Sequence, residues 1–272
     1  MENYFKYSIS LMYQKRIFLL LLSMLYLTEI FSQGPPILAD KPIMLGQHKG
    51  TVRLAYSYVE SDKLNARFIM PSVDFNVSNK ISLELMAPFQ QYIGSYKKGF
   101  ILSDVGISGK YQYFKQDMQG KTIRLAVKGA HNFKVAKQHA NIKPTGAMIW
   151  GTYGGIIAGM ESLKIGIIGD FGISIVQDNS LRTTSNYFVG KVAFGFPVLK
   201  HVFPVRQLNL YLETEIADQL NAKSSSFYLA PGIQYVYGTI AIECFYQRSV
   251  YQLGNNNFYP NQTLGGGIRY IY

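Results

Sequence analysis

The chain has 272 residues, which is enough for one domain or at most two. Its composition, 48% hydrophobic and 16% charged with 25 glycines, excludes a disordered chain and disfavours a helical bundle. The single cysteine, Cys244, excludes an internal disulfide framework and a multi-cysteine metal site. The formal charge of +11 does not indicate a nucleic-acid partner, because the basic residues are spread singly along the chain and form no Lys/Arg run.

The first 32 residues have the pattern of an export signal. Lys15 and Arg16 precede an uncharged run from Ile17 to Thr28, and the small residue Ser32 follows at a suitable cleavage position. As a helix, this run of twelve residues rises about 18 Å, well short of the roughly 30 Å hydrocarbon core. We therefore predict a secretory signal peptide at 1–32, with a retained membrane anchor as the alternative.

After Gln33 the dominant pattern is an alternation of apolar and polar residues with a period of two. In the stretch 163–176, Leu163 and Ile173 fall on one face, and Lys164 and Asp170 fall on the other. A β-strand displays two such faces, whereas a helix would mix them. The pattern predicts twelve strands, at Gly50–Glu60, Arg67–Ser78, Ile81–Phe89, Val105–Tyr113, Thr122–Ala130, Trp150–Gly159, Leu163–Val176, Phe188–Phe196, Leu208–Ile216, Phe227–Tyr237, Ile240–Tyr246 and Leu264–Tyr272.

The lengths of these strands and of their connections predict the architecture. Strands of about 9 to 14 residues suit a bilayer that is crossed at a tilt, and in lipid each unpaired backbone group is costly, so the sheet must close. Long connections such as His131–Ile149 alternate with tight turns such as Asn79–Lys80, which places both termini on the inner side. We predict an all-β protein, a closed antiparallel transmembrane β-barrel of about twelve strands over 50–272, with periplasmic N- and C-termini.

The segment between the signal and the barrel, residues 33–49, holds Pro35, Pro36 and Pro42, which exclude a regular helix. We predict an extended periplasmic leader that runs below the barrel or into its mouth. At the level of the sequence, whether this leader plugs the barrel is open.

The last strand, LGGGIRYIY, alternates from Leu264 to an aromatic C-terminal residue, Tyr272. This ending resembles the C-terminal insertion signal of bacterial outer-membrane barrels. The resemblance implies a location in the outer membrane of a Gram-negative cell and recognition of the strand by the barrel-assembly machinery. A strand of a secreted soluble sandwich that ends in tyrosine is the alternative.

Four segments of the mature chain carry a resemblance to a known family. They are QGPPILADKPIMLG, the strand-turn-strand around Asn79 and Lys80, SDVGISGKYQYF (Ser103–Phe114), and IGIIGDFGISI within 165–175. They are similar to the outer-membrane family named after the meta-cleavage pathway of phenol degradation. The resemblance implies a porin-like barrel that handles aromatic or other apolar solutes, and it implies no particular site.

If the apolar set of each strand faces lipid, the other set faces the interior. A lysine or arginine against hydrocarbon at the bilayer midplane would cost roughly 2 to 4 kcal/mol, so the charges belong inside. Opposed charges along an aqueous lumen would select small polar or anionic solutes; alternatively, the charges pair, fill the interior and leave no open path. The residues predicted to line the lumen are Arg53, Asp74, Glu84, Lys110, Arg124, Lys128, Lys164, Asp170, Lys191, Glu213, Glu215, Glu243 and Arg269.

The outer surface offers two further features. Trp150, Tyr270 and Tyr272 lie where strands should meet the membrane interfaces, which is typical of aromatic girdles. The loop His131–Ile149 contains lysines and histidines and no acidic residue. We hypothesise that this loop contacts phosphates of lipopolysaccharide in the outer leaflet, with a solvated basic loop as the alternative.

The sequence does not indicate an enzyme, a cofactor or a metal. His131 has no serine on a neighbouring lipid-facing position, no G-x-S-x-G elbow is present, and metal-ligand spacing is absent. We therefore predict a passive channel or uptake pore for small-molecule solutes. The first alternative is a non-conducting barrel with a structural or surface-binding role, and the next is a lipid-modifying barrel enzyme.

Overall fold

Alternation of side chains along each strand produces an apolar exterior around a polar interior. Leu54 is 55% exposed and Ile268 is 54% exposed, whereas Ser57 and Thr263, on the opposite faces of the same two strands, are completely buried. A soluble sheet protein would bury the apolar set and expose the polar one. This inverted order is the order required of a barrel whose exterior solvent is hydrocarbon.

The computed structural model describes residues 36–42, 46–61, 65–93, 99–133, 135, 151–178, 183–199, 206–220, 223–253 and 260–272, all within one unit, Phe31–Tyr272. The strands are β1 (Gly50–Glu60), β2 (Asn65–Asn76), β3 (Ile81–Met86), β4 (Phe89–Ile93), β5 (Ile101–Leu102), β6 (Val105–Met118), β7 (Lys121–Phe133), β8 (Thr152–Ser162), β9 (Gly166–Asp178), β10 (Thr183–Pro197), β11 (Arg206–Gln219), β12 (Ser224–Tyr237), β13 (Ile240–Leu253) and β14 (Gln262–Ile271). The described residues contain no helix that is long and apolar enough to cross a membrane.

The sheet closes on itself because the first strand pairs with both the second and the last. Val52 lies opposite Val73 of β2 on one side and opposite Tyr270 of β14 on the other, and both pairings are antiparallel. The short strands β3 and β4 pair in turn along β2, and together they form one position of the wall. β4 pairs antiparallel with β5 and β3 pairs antiparallel with β6, so β5 and β6 together form the next position. The fourteen strands therefore make a barrel of twelve positions. The predicted fold class, a closed antiparallel barrel of twelve strands, is confirmed.

The third strand differs from its prediction as one continuous segment, Ile81–Phe89. It is interrupted at Pro88, next to Pro71 of the neighbouring strand β2. Proline has no N–H to donate to the ladder, so two prolines on adjacent strands remove hydrogen bonds from the same part of the wall. Backbone bonds from Ala87 to Pro71 (3.1 Å) and from Ser103 to Pro88 (2.7 Å) carry the sheet across the interruption.

The two ends of the barrel carry different connections. At one end, which we call the terminal rim, Gly50 and Tyr272 exchange backbone hydrogen bonds of 3.2 and 3.1 Å. Four of the turns at this rim have two to four residues, and Gly120 and Gly238 supply the positive φ that two of them need; the connection 198–205 is longer. Connections at the opposite rim include the longest one, residues 134–151.

Three predictions fall wholly or mostly on residues outside the described ranges. They are the signal peptide at 1–32, the interface aromatic Trp150, and the basic loop His131–Ile149, of which only 131–133 and residue 135 are described. These stay predictions.

The inverted sidedness generates a test of the exterior. We expect Leu54→Arg, at the middle of β1, to lower the free energy of unfolding in lipid vesicles by roughly 2 to 4 kcal/mol, because the guanidinium would face hydrocarbon. Tyr270→Arg, near the terminal rim, serves as the control and is expected to cost only about 0 to 1 kcal/mol. Equal costs in urea titrations would contradict the assignment of a hydrocarbon-facing belt.

Candidate functional site: the lumen and its inner segment

Most of the charged residues predicted to line the lumen lie inside the barrel. Twelve of the thirteen are on strands, on the face opposite the exposed apolar side chains. They are Arg53, Asp74, Glu84, Lys110, Arg124, Lys128, Asp170, Lys191, Glu213, Glu215, Glu243 and Arg269.

Lys164 is the exception. It was predicted within a strand beginning at Leu163, but β9 begins at Gly166, and Lys164 lies in the exposed turn between β8 and β9. There its backbone N–H donates to the Ser162 hydroxyl at 3.3 Å. The alternation of the strand extends through residues 163–165 of the turn, and this is why the sequence pattern placed Lys164 with the lumen set.

The leader supplies the central feature of the lumen. Residues 46–49 lie along the terminal rim, and the His48 N–H donates a hydrogen bond to the Asn76 carbonyl there at 3.0 Å. Residues 36–42, which we call the inner segment, lie inside the barrel and contact charged side chains of the wall. The leader was predicted to run below the barrel or into its mouth, and over these seven residues it lies within the lumen. Charged side chains of the wall bind its backbone and the carboxylate of Asp40 there.

Glu213 of β11 holds the backbone of the inner segment. Its two carboxylate oxygens accept hydrogen bonds from the consecutive N–H groups of Ile37 (2.8 Å), Leu38 (3.0 and 3.1 Å) and Ala39 (2.7 Å). Successive N–H groups directed at one anion form a concave anion site, and hydrogen bonds to a charged acceptor are about twice as strong as neutral ones. Glu213 is buried, so this contact fixes the segment against the wall.

Asp40 forms the ionic contact of the inner segment. Its carboxylate lies 2.8 Å from the Lys110 ammonium and 2.9 Å from the Lys128 ammonium. Burial alone would raise the pKa of Asp40, but these two ammonium groups outweigh burial and hold the pKa well below its ordinary value. Burial, followed by the Arg269 guanidinium, lowers the pKa of Lys41 to about 8. At neutral pH Asp40 is therefore ionised, and Lys41 is mostly protonated.

Two arginines hold the other end of the inner segment. Arg53 donates to the Ile37 carbonyl at 3.0 Å, and Arg269 donates to the Pro36 carbonyl at 3.4 Å. Both guanidinium groups also pair with Glu243, whose side chain is completely buried. Since Arg53 and Arg269 are directly opposite on neighbouring strands, the shared carboxylate is needed to offset their repulsion.

Part of the interior is apolar, which the sequence alternation did not predict. Ala39 of the inner segment packs against four small or branched side chains that we call the apolar patch, namely Ala126, Ile157, Ile168 and Ala193. Ile37 packs against Tyr211 and Phe245. The only signal of this patch in the sequence is the local break of alternation at the consecutive isoleucines 156–157 and 167–168.

Two glycines of the wall leave room for the inner segment. A Cβ at Gly159 would lie 2.8 Å from Cγ of Pro42, and a Cβ at Gly232 would lie 2.7 Å from Cδ1 of Ile37. Real Cβ atoms do not approach other heavy atoms so closely. A side chain at position 159 would therefore displace the rigid ring of Pro42, whereas at position 232 the flexible side chain of Ile37 can rotate away.

The interior retains polar atoms that find no protein partner. Among the described residues they include Ser57 Oγ, Asn209 Oδ1, Ser226 Oγ and Gln247 Oε1. Each of these atoms is shielded from solvent, and a buried polar group without a hydrogen bond costs about 1 to 3 kcal/mol. Their distribution over β1, β11, β12 and β13 shows that the interior is polar around much of the wall.

Towards the opposite rim, large side chains of the wall occupy the lumen. Phe68 packs with Val59 and Met70, and Tyr187 packs with Tyr228.

At the terminal rim, the predicted interface aromatics Tyr270 and Tyr272 point outward, and their stacked rings have centroids 6.5 Å apart. Within the described residues no group of three or more His, Cys, Asp or Glu side chains is placed to hold a metal ion.

Comparison with known proteins identifies the fold. No protein-family model and no curated protein matches the sequence. Among solved structures, the chain is similar to an outer-membrane channel from Pseudomonas putida F1, at 7% identity and a TM-score of 0.56, over 87% of this chain and 100% of that one. It is also similar to the NanC porin, at 13% identity and a TM-score of 0.50, over 81% and 98% of the respective chains. The chain therefore has the fold of porin-like outer-membrane β-barrels.

The contact between Glu213 and the inner segment generates a test. We expect Glu213→Gln to loosen the segment, because charge-assisted hydrogen bonds worth about 1.5 to 3 kcal/mol are weakened, and to raise its exposure about tenfold or more. Exposure is measured as the rate at which a cysteine introduced by Ala39→Cys reacts with a charged thiol reagent, in a Cys244→Ser background.

Glu215→Gln provides the matched control. Glu215 is the next interior carboxylate on β11, and it accepts from Gln247 at 3.1 Å. Its substitution is expected to leave the labelling rate at position 39 unchanged. The same increase in both variants would show that Glu213 has no specific role in holding the segment.

Proposed function

We propose that the protein is a passive outer-membrane channel for small solutes, closed in this structure by the inner segment. The observation that carries the proposal is the sidedness of the barrel: an apolar exterior surrounds an interior with charged side chains and buried polar atoms that need water. A hydrated interior in a closed membrane barrel is the physical requirement for diffusion of solutes. The fold shared with proteins named as a channel and a porin supports the proposal.

The inner segment accounts for closure. It is held by hydrogen bonds and ion pairs from five strands and by a small apolar contact surface, with no disulfide to the wall among the described residues. Such contacts form and break without rearrangement of the barrel ladder. Displacement of the segment would open the half of the lumen next to the terminal rim.

The chemistry of the solute is a second part of the proposal. Tyr211 and Phe245 cover Ile37 inside the lumen, so removal of the segment would expose aromatic surface. Aromatic and other apolar small molecules are suited to such a surface. The resemblance to the family named after phenol degradation points to the same class of solutes.

The proposal includes a location and partners. An apolar belt requires a lipid bilayer, and the C-terminal strand, which closes the barrel against β1, is the element offered to the barrel-assembly machinery. Contact of the loop His131–Ile149 with lipopolysaccharide stays part of the proposal. No cofactor, enzymatic activity or nucleic-acid partner is proposed.

A second candidate is a non-conducting barrel with a structural or surface-binding role. The observation that favours it is the filling of the interior by the inner segment on one side and by side chains such as Phe68, Tyr187 and Tyr228 on the other. Under this alternative, the charges serve to rigidify the interior and the segment never leaves.

Conductance of the purified protein in planar bilayers separates the two candidates. We expect Gly159→Ala to increase the open fraction relative to the wild type, because the added Cβ would overlap Pro42 and displace the inner segment. Deletion of residues 36–42 is expected to have the larger effect. Gly154→Ala on the same strand is the control, since a Cβ there meets nothing within 4 Å.

The alternative makes the opposite prediction. A structural barrel would give no ion current in the wild type, in Gly159→Ala or in the deletion variant, although all three proteins show the heat-sensitive gel mobility of a folded barrel. That combination would overturn the channel proposal.

A further inference from the structure

Two pairs of basic residues that contact the inner segment lie directly opposite each other on adjacent strands of the wall, and the two pairs differ in how closely the wall carboxylates approach them. Arg53 and Arg269 are directly opposite on β1 and β14, and Glu243 of β13 bridges them. Lys110 and Lys128 are directly opposite on β6 and β7 in the same way. Like charges directly opposite on a sheet repel, so each pair requires a nearby carboxylate.

The carboxylate between the lysines comes from the inner segment. Asp40 lies 2.8 and 2.9 Å from the two ammonium groups. The described wall carboxylates next to them, Asp74 for Lys110 and Asp170 for Lys128, are each 3.8 Å away and outside hydrogen-bond distance. Asp170 also accepts a hydrogen bond from the hydroxyl of Tyr153. Without Asp40, the wall presents two buried lysines without a hydrogen-bonded carboxylate.

The apolar patch adjoins this lysine pair. Ala126 is on the same face of β7 as Lys128, two residues away, and Ala126 and Ile157 are directly opposite on adjacent strands. Ile168 and Ala193 continue the patch across β9 and β10 in register. The lumen therefore places an apolar surface beside two cations.

The occupants of these two features are consecutive residues of the inner segment. Ala39 covers the apolar patch, and Asp40 occupies the lysine pair. Together they present a carboxylate attached to a small apolar body, and the wall is complementary to that combination.

We propose that the lysine pair Lys110–Lys128 and the apolar patch form a binding site for small organic acids with an apolar body, and that Asp40 and Ala39 occupy this site until such a solute replaces them. The inference rests on the proposed function, since it names the solute class of the channel and the means by which the inner segment is released. A neutral aromatic compound of the same size is a poor ligand, because it provides no carboxylate to replace the hydrogen-bonded contacts of Asp40 with the two lysines.

A small cavity adjoins Lys128 inside the barrel. It has a volume of about 20 Å³, room for one water molecule but not for the solute, and its lining includes Lys128, Glu84, Ser108 and Asn132 but no described residue of the inner segment. Asn132 precedes the last residue of β7, at the opposite rim. Lys128 therefore borders space on the side that faces away from the terminal rim.

Binding is tested without relying on ion current. In the full-length Asp40→Asn variant, benzoate is expected to raise the midpoint of thermal unfolding, because a ligand of the folded state stabilises it in proportion to its occupancy. Acetate, which has the carboxylate but no apolar body, should need about tenfold higher concentration for the same shift. Benzyl alcohol, which has the ring but no charge, should give no shift. Asp117→Asn, at an exposed ion pair on β6, is the matched control and should leave the benzoate response at the wild-type level.

The lysine pair is tested in the variant that already lacks Asp40. Adding Lys128→Gln to Asp40→Asn removes one cation, while the nearby buried Asp170 keeps its hydrogen bond from the Tyr153 hydroxyl. The double variant should raise the benzoate concentration for half-maximal shift about tenfold or more. If neither variant folds, the otherwise wild-type chain with Ala39→Cys in a Cys244→Ser background provides the measurement. There benzoate should accelerate labelling of position 39, and benzyl alcohol should not.

The outcomes separate the site from the channel. Stabilisation by benzoate that depends on Lys128, in a protein that never conducts, would support the site and overturn the channel. Conductance together with equal responses to benzoate and benzyl alcohol, or with a benzoate response that is unchanged by Lys128→Gln, would overturn the site and leave the channel standing.

Discussion

The hydrocarbon exterior is the constraint on which the rest of the molecule depends. A backbone in lipid cannot leave N–H or C=O groups unpaired, so β1 must pair with β14 as well as with β2. Once the sheet is closed, the period of two directs every second side chain inward. Charges that lipid would not tolerate are thereby concentrated in a small interior, where they must find partners. The contacts of the inner segment are a consequence of that concentration.

Inside the barrel, the arrangement of like charges decides which contacts form. The arginine pair is satisfied by Glu243 of the wall and still donates to carbonyl groups of the inner segment. The wall carboxylates next to the lysine pair are 3.8 Å away, and Asp40 of the inner segment makes the closer contacts. Glu213 provides the complementary case, an interior carboxylate that is satisfied by backbone N–H groups of the segment. The segment is therefore bound through both signs of charge.

The fold could be predicted from the sequence because a period of two is a local property of each strand. The strand number, the closure and the interior location of twelve charged residues all follow from it.

The limits of the prediction are also physical. The position of Lys164 depended on where a strand ends, and the period does not show that. The interruption at Pro88 depends on Pro71 of the neighbouring strand, which is a pairing property. The contact of Asp40 with Lys110, 70 positions away in the chain, has no local signal at all, and consecutive isoleucines gave only a faint sign of the apolar patch.

The position of the inner segment also constrains the order in which the molecule assembles. Its binding site is contributed by β1, β6, β7, β11, β13 and β14, so no part of the chain that emerges early contains it. Contacts between residues so distant in sequence form late, because the intervening loop must first be closed. The complete site exists only after the first and last strands have met. Docking of residues 36–42 thus follows completion of the barrel, and a docked segment distinguishes a finished molecule from a chain whose sheet is still open.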